Sequence, residues 1–154
     1  MLLSPHFSLH EFTRSQTASR LGIKNEPSEQ HIYNLKIWCA KIGEPVRSHY
    51  GKPVIISSGY RCDDLNRAIG GSTGSQHRRG QAVDFEVAGV SNLNVAKWIE
   101  KNLEFDQLIL EFYNICDPHS GWVHCSALEE GGRRSVLTAY RKDRKTHYEK
   151  GLPL

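Results

Sequence analysis

Two acidic residues alternate with apolar ones in the run Ala82-Val83-Asp84-Phe85-Glu86-Val87. Successive residues of a strand point to opposite faces. Val83, Phe85 and Val87 therefore share one face and belong to a core, while Ala82, Asp84 and Glu86 share the other. A carboxylate in such a strand needs a partner, because burying it alone is costly. The run follows Ser75-Gln76-His77-Arg78-Arg79-Gly80, which places an imidazole just before a glycine-bearing turn into the strand. His77 and Asp84 can then converge on one point. Nitrogen and oxygen donors on rigid elements, with one position left open, are what a zinc ion requires.

Two further segments present polar side chains in the same way. In Gly121-Trp122-Val123-His124-Cys125-Ser126, Val123 and Cys125 fall on one face and Trp122, His124 and Ser126 on the other. In Gln107-Leu108-Ile109-Leu110-Glu111, Glu111 falls with Ile109, opposite Leu108 and Leu110. Three strands can thus offer Asp84, His124 and Glu111 to one cleft. Pattern alone leaves open that His77 and His124 are hydrogen-bonded structural histidines instead.

The rest of the chain bounds the class. Its 154 residues suit one domain over residues 1–154, and 38% hydrophobic with 24% charged residues excludes a disordered chain. No apolar run approaches the roughly 20 residues that cross a bilayer. The start, Met1-Leu2-Leu3-Ser4-Pro5-His6, lacks a basic segment followed by a long apolar one, so no signal peptide is expected and synthesis in the cytoplasm is. A net charge of +3, from 20 basic and 17 acidic residues, gives no reason to expect a nucleic-acid partner. Cys39, Cys62, Cys116 and Cys125 form no C-x-x-C pair and read as ordinary thiols or small apolar residues. A monomer is the expected state.

Periodicity predicts a helix from about Pro27 to Tyr50, with Pro27 in its first turn and a break or kink near Gly43 and Pro45. Shorter helices are predicted from Asp63 to Ile69 and from Leu93 to Asn102, the second capped by Ser91. Strands are predicted from Lys52 to Ser57, Gln81 to Val87, Gln107 to Glu111, Gly121 to Ser126 and Arg134 to Arg141. The basic stretch Arg141 to Lys145 reads as a solvated turn between two terminal strands. Residues 1–26 are mixed and polar, with Phe7, Leu9 and Phe12 as anchors. Strands and helices do not alternate regularly, so the fold class is α+β with a mainly antiparallel sheet flanked by helices.

Ser57-Ser58-Gly59-Tyr60-Arg61, then Leu65-Asn66, Gly71-Ser72, Ser75-x-His77, Gly80-x-Ala82-x-Asp84 and Trp122-Val123-His124, run in order along the chain. This series resembles the D-alanyl-D-alanine metallopeptidase family, which includes D-Ala-D-Ala carboxypeptidases, phage L-alanyl-D-glutamate endopeptidases and, in fold, the hedgehog signalling domain. The resemblance implies a hedgehog/DD-peptidase-like fold in which His77, Asp84 and His124 bind Zn2+ and a water takes the fourth position. It also implies that Arg61 reaches the active site to bind a substrate carboxylate or stabilise developing charge, and that Ser75 and Gln76 orient His77 or touch substrate. Carboxypeptidase members often carry an acidic residue three positions before the last histidine; here that position is Gly121. Glu111 is then the expected general base, with Glu86 the second choice. His119 is read as a plain loop histidine, its alternative role being proton donor.

The implied function is a zinc peptidase acting on the peptide stems of bacterial peptidoglycan. It is either a D,D-carboxypeptidase or an L-Ala-D-Glu endopeptidase, endolysin-like and phage-encoded, reaching the wall after release or as a virion component. The alternative is a zinc-stabilised, non-catalytic binding or structural domain of the same fold, such as a virion protein.

Overall fold

The computed structural model describes residues 1–154. The chain starts with a hairpin of β1 (Leu2–Ser4) and β2 (Phe7–Ser8), followed by the short helices α1 (Leu9–Thr13) and α2 (Gln16–Leu21). Ser8 N–H donates to the Glu11 carboxylate at 2.7 Å, and Ser15 Oγ accepts from Ala18 N–H at 3.1 Å, so both helices start on a side-chain cap. Phe7 and Phe12 are fully buried and Leu9 half-buried. The three anchors are as expected, whereas elements this short leave no periodicity in the sequence.

The long helical segment consists of α3 (Glu29–Trp38), a π-helical turn at Cys39–Gly43, and α4 (Glu44–Tyr50). Its N-cap is Ser28, whose hydroxyl accepts from His31 N–H at 3.2 Å. Pro27 therefore lies just outside the helix rather than in its first turn. The expected break near Pro45 takes the form of the π turn. A proline has no N–H to donate and crowds the carbonyl four residues back, here that of Lys41. The turn widens so that Glu44 N–H reaches the Cys39 carbonyl, and the helix continues.

Next come β3 (Val54–Ser58), α5 (Asp63–Ala68), a 3₁₀ turn at Gln76–Arg79, β4 (Ala82–Val87) and α6 (Asn92–Asn102). Ser91 caps α6 by accepting from Asn94 N–H, as expected. The chain ends with β5 (Gln107–Glu111), β6 (Trp122–Ser126), β7 (Ser135–Lys142) and β8 (Lys145–Lys150). Strands β3 to β8 form one sheet in the order β3-β4-β6-β5-β7-β8. Every neighbouring pair is antiparallel except β5 and β7, so the fold is α+β with a mainly antiparallel sheet. Asp143 and Arg144 join β7 to β8 with φ 53° and 64°, the left-handed pair that matches strand twist in a two-residue hairpin. Only Asp143 and Arg144 of the basic stretch form the turn; Arg141 and Lys142 extend β7, and Lys145 begins β8.

One face of this sheet is the core face. Val83, Phe85, Leu108, Leu110, Val123 and Cys125 have no solvent exposure and belong to one cluster with Leu35, Trp38 and Ile42 of the long helical segment and Val95 and Ile99 of α6. Trp38 meets Phe85 edge-on at 5.5 Å, and its indole N–H donates to the Cys125 carbonyl at 3.1 Å. Burying each large apolar side chain contributes roughly 1.5–3 kcal/mol. Because the helices cover this face, the residues that alternate with the core set are left on the other. All four cysteines are free thiols, and burial pushes Cys39 up to about 12. No helix is long and apolar enough to cross a membrane.

Candidate active site

Register brings the non-core residues of the central strands side by side. Asp84 of β4 pairs with His124 of β6, which pairs with Ile109 of β5; two residues further along β5, Glu111 pairs with Trp122. The Asp84 Oδ1 accepts from His124 Nδ1 at 2.9 Å. His77 arrives from the 3₁₀ turn that precedes β4. Its Nδ1 lies 2.7 Å from the Gly59 carbonyl, so Nδ1 carries the proton and donates it there. Nε2 faces Asp84 Oδ2, 3.4 Å away.

Gly59 makes this contact possible. A β-carbon at residue 59 would lie 2.7 Å from the Phe12 backbone, so only glycine lets the turn after β3 sit between helix α1 and the histidine. Ser75 holds the other end of the turn: its Oγ accepts from His77 N–H and from the Arg61 guanidinium, both at 3.3 Å. The Gly59 carbonyl is the contact that fixes the orientation of the imidazole ring itself.

One donor atom from each of His77, Asp84 and His124 lies within 4.8 Å of the others. Two imidazoles and a carboxylate form a common zinc donor set, and donors about 2.0–2.2 Å from a tetrahedral zinc stand roughly 3.3–3.5 Å apart. The 3.4 Å between His77 Nε2 and Asp84 Oδ2 fits that spacing. All three side chains are at least 85% covered, yet they border a cavity of about 420 Å³ that also receives Glu111 and Arg61. The residues present therefore fit a cation with one side open to the cleft.

Burial opposes the charge on Asp84, but the two histidines outweigh it and hold its pKa below the ordinary carboxylate range. His124 responds in the opposite sense: burial disfavours its cation, but the Asp84 contact and Glu111 raise its pKa. The Glu111 carboxylate stands 3.8 Å from His124 Nδ1. Burial, and then the negative charge of Asp84, push it up to about 7. A divalent cation on the neighbouring donors favours the ionised form of the same group.

The remaining expected residues divide. Arg61 does reach the cleft; Asp63 and Asp64 bind Arg78 and Arg67 instead. Ser75 accepts from the His77 backbone N–H and from Arg61, whereas Gln76 borders the cleft and donates to Asp106 at 2.9 Å. Glu86 accepts from Asn92 at 3.0 Å and takes no part in lining the cleft, and His119 lies in an exposed loop. Sequence reasoning missed Asp106, which is 3% exposed and is clamped by the Arg133 guanidinium and N–H. It also missed Trp122, Arg133 and Tyr148 as cleft residues. Trp122 was placed on the correct face by alternation, but nothing in the sequence connects Arg133 or Tyr148 with the earlier strands. A second hollow of about 720 Å³, beside Lys24, His31 and Arg78, gathers no comparable donor set.

A family profile described as Peptidase M15 matches residues 5–126. The chain belongs to the peptidase M15 family. No curated protein matches it. The matched span of this M15 chain includes Arg61, His77, Asp84, Glu111 and His124 and ends at Ser126, before the β7–β8 hairpin. M15 membership supports a hydrolase of the metallopeptidase kind. The family is zinc-dependent in general, in keeping with the possible metal site at His77, Asp84 and His124.

Proposed function

We propose that this M15 chain is a single-domain zinc peptidase that hydrolyses peptide stems of bacterial peptidoglycan, with His77, Asp84 and His124 holding the metal. The observation that carries the reading is the convergence of those three donors within 4.8 Å at the base of a cleft that also receives Glu111. Bound there, zinc would supply Lewis acidity, polarising the scissile carbonyl and lowering the pKa of the attacking water toward about 7.

The chain's own residues supply the rest. Glu111 accepts a proton from the attacking water as the oxygen bonds to the carbonyl carbon. It returns that proton to the amine nitrogen as the C–N bond breaks, which leaves a carboxylate on one fragment and an amine on the other. Asp84, flanked by both imidazoles, keeps the donor set anionic and ordered. Arg61 presents a planar cation fixed by Ser75, suited to the developing oxyanion or to a substrate carboxylate.

Two bonds suit this site: the terminal D-Ala-D-Ala bond of a carboxypeptidase, and the L-Ala-D-Glu bond of an endolysin-like endopeptidase from a phage. A cleft carboxylate at Glu111 supports catalysis over the alternative of a non-catalytic, zinc-stabilised domain, which needs none. Digestion of purified muropeptides followed by mass spectrometry tests the reading. Loss of one D-alanine identifies the first bond and release of L-alanyl fragments the second. Intact muropeptides after prolonged incubation with the zinc-loaded protein overturn the proposal.

A further inference from the structure

The hairpin of β7 and β8 lies beyond the residues matched by the family, yet it contributes to the cleft. Ala139 of β7 sits in register beside Glu111, and Tyr148 of β8 sits in register beside Ala139. These residues therefore share a face, with Tyr148 two strands, roughly 10 Å, from the backbone of Glu111. Ala139 carries only a methyl group and is 1% exposed, so no long side chain rises between the carboxylate and the phenol. Tyr148 borders the same cavity as His77, Asp84, Glu111 and His124, and it is 57% exposed, a large aromatic surface left uncovered at the site. The other aromatic of the strand pair, Tyr140, stacks on His147 at 5.4 Å, and alternation puts both on the opposite face.

Direction across the sheet assigns the phenol a place in the reaction. The order β4-β6-β5-β7-β8 leads from Asp84 through His124 and Glu111 to Tyr148. On the proposed function, on which this inference rests, Glu111 delivers its proton to the departing amine. That nitrogen must lie on the Glu111 side of the metal donors. The residue that leaves with it then extends toward β8.

We propose that Tyr148 forms the wall of the leaving-group subsite, its ring packing against the residue on the amine side of the scissile bond. A tyrosine suits this task because it offers a broad, rigid, partly polar surface at small entropic cost. The occupant is a peptide residue small enough to lie flat between Glu111 and the ring. D-alanine and D-glutamate, the leaving residues of the two candidate bonds, both meet that description.

The test uses the zinc-loaded full chain, a synthetic stem peptide, and each of its two hydrolysis products as an inhibitor. An aromatic wall of this kind is worth about tenfold in affinity. Tyr148→Ala is expected to raise KM about tenfold and to weaken inhibition by the amine product by a similar factor, with kcat and zinc content close to parental. Inhibition by the acyl product should be unchanged. Tyr148→Phe keeps the ring and should stay near the parental KM. His147→Ala disturbs the hairpin on its other face and controls for damage to the fold; it should also stay near parental. Parental KM in Tyr148→Ala, weakened inhibition by the acyl product instead, or an equal loss in His147→Ala overturns the assignment. If the parental chain cleaves no stem peptide, the proposed function fails first, and this inference falls with it.

Discussion

The backbone carbonyl of Glu111 fills the space that a β-carbon on residue 121 needs, and Gly121 stands at φ +65°. The position three residues before His124 is therefore closed to side chains by the backbone of the preceding strand. The carboxylate nearest His124, after its partner Asp84, comes from β5 instead. The absence of an acidic residue at Gly121 has a steric cause in the β5–β6 pairing.

Replacing that glycine should cost stability without supplying a base. Gly121→Ala is expected to lower unfolding stability by about 1–3 kcal/mol, from left-handed backbone strain and the clash with Glu111. Denaturant titration measures it. Gly121→Glu placed in a Glu111→Gln background should restore no activity; restored turnover there would show that residue 121 can supply the base.

Much of this site is legible in the sequence because strand alternation is a strict rule. Once Val83 and Phe85 are assigned to the core, Asp84 must face the other side, and the same rule orients His124 and Glu111. Alternation within a strand does not reveal which strands are neighbours. The parallel pairing of β5 with β7 joins residues 107–111 to 135–139, and no local pattern encodes it, so the cleft role of Tyr148 was invisible. Asp106 was missed for a related reason: its partners Gln76 and Arg133 lie 30 and 27 residues away. The N-terminal hairpin and its two short helices lacked the length that periodicity needs, though Phe7 and Phe12 still marked them as anchored.

Glu111→Gln separates metal binding from chemistry. The amide keeps the shape of the carboxylate but accepts no proton at neutral pH. One zinc per chain should be retained while kcat falls about 10²- to 10⁴-fold. Metal analysis and initial rates on the same preparation check this; parental kcat in the variant would remove Glu111 from its role.

The three proposed metal donors should couple zinc to stability. Zinc at about 100 times its dissociation constant stabilises the fold by about 2.7 kcal/mol, which in a chain of this size raises the melting temperature by about 5–10 °C. His77→Ala, Asp84→Ala and His124→Ala should each abolish most of that zinc-dependent rise. Differential scanning calorimetry with and without zinc reads it, and an undiminished rise in any variant would exclude that residue as a ligand.

Asp106 gives the protein an acid-sensitive joint. Its contacts with the Arg133 guanidinium hold its pKa down at about 2 despite burial, below the ordinary 3.8. A lowered folded-state value means stability that is fully present above about pH 4 and lost as pH falls toward 2. Because Arg133 is itself well exposed, solvent screening leaves roughly 1–2 kcal/mol for the pair. Arg133→Ala should lose about that much at pH 7 and close to nothing at pH 2, as followed by urea unfolding at several pH values. A loss independent of pH would assign the effect to packing.

The most direct measurement is cleavage of purified muropeptides by the chain before chelation, after removal of metal, and after readdition of zinc. Hydrolysis of a stem-peptide bond that stops on chelation, returns with stoichiometric zinc, and is absent in a metal-loaded Glu111→Gln variant is the predicted result. Equal cleavage with and without metal, or no cleavage by the zinc-loaded parental chain, would contradict it.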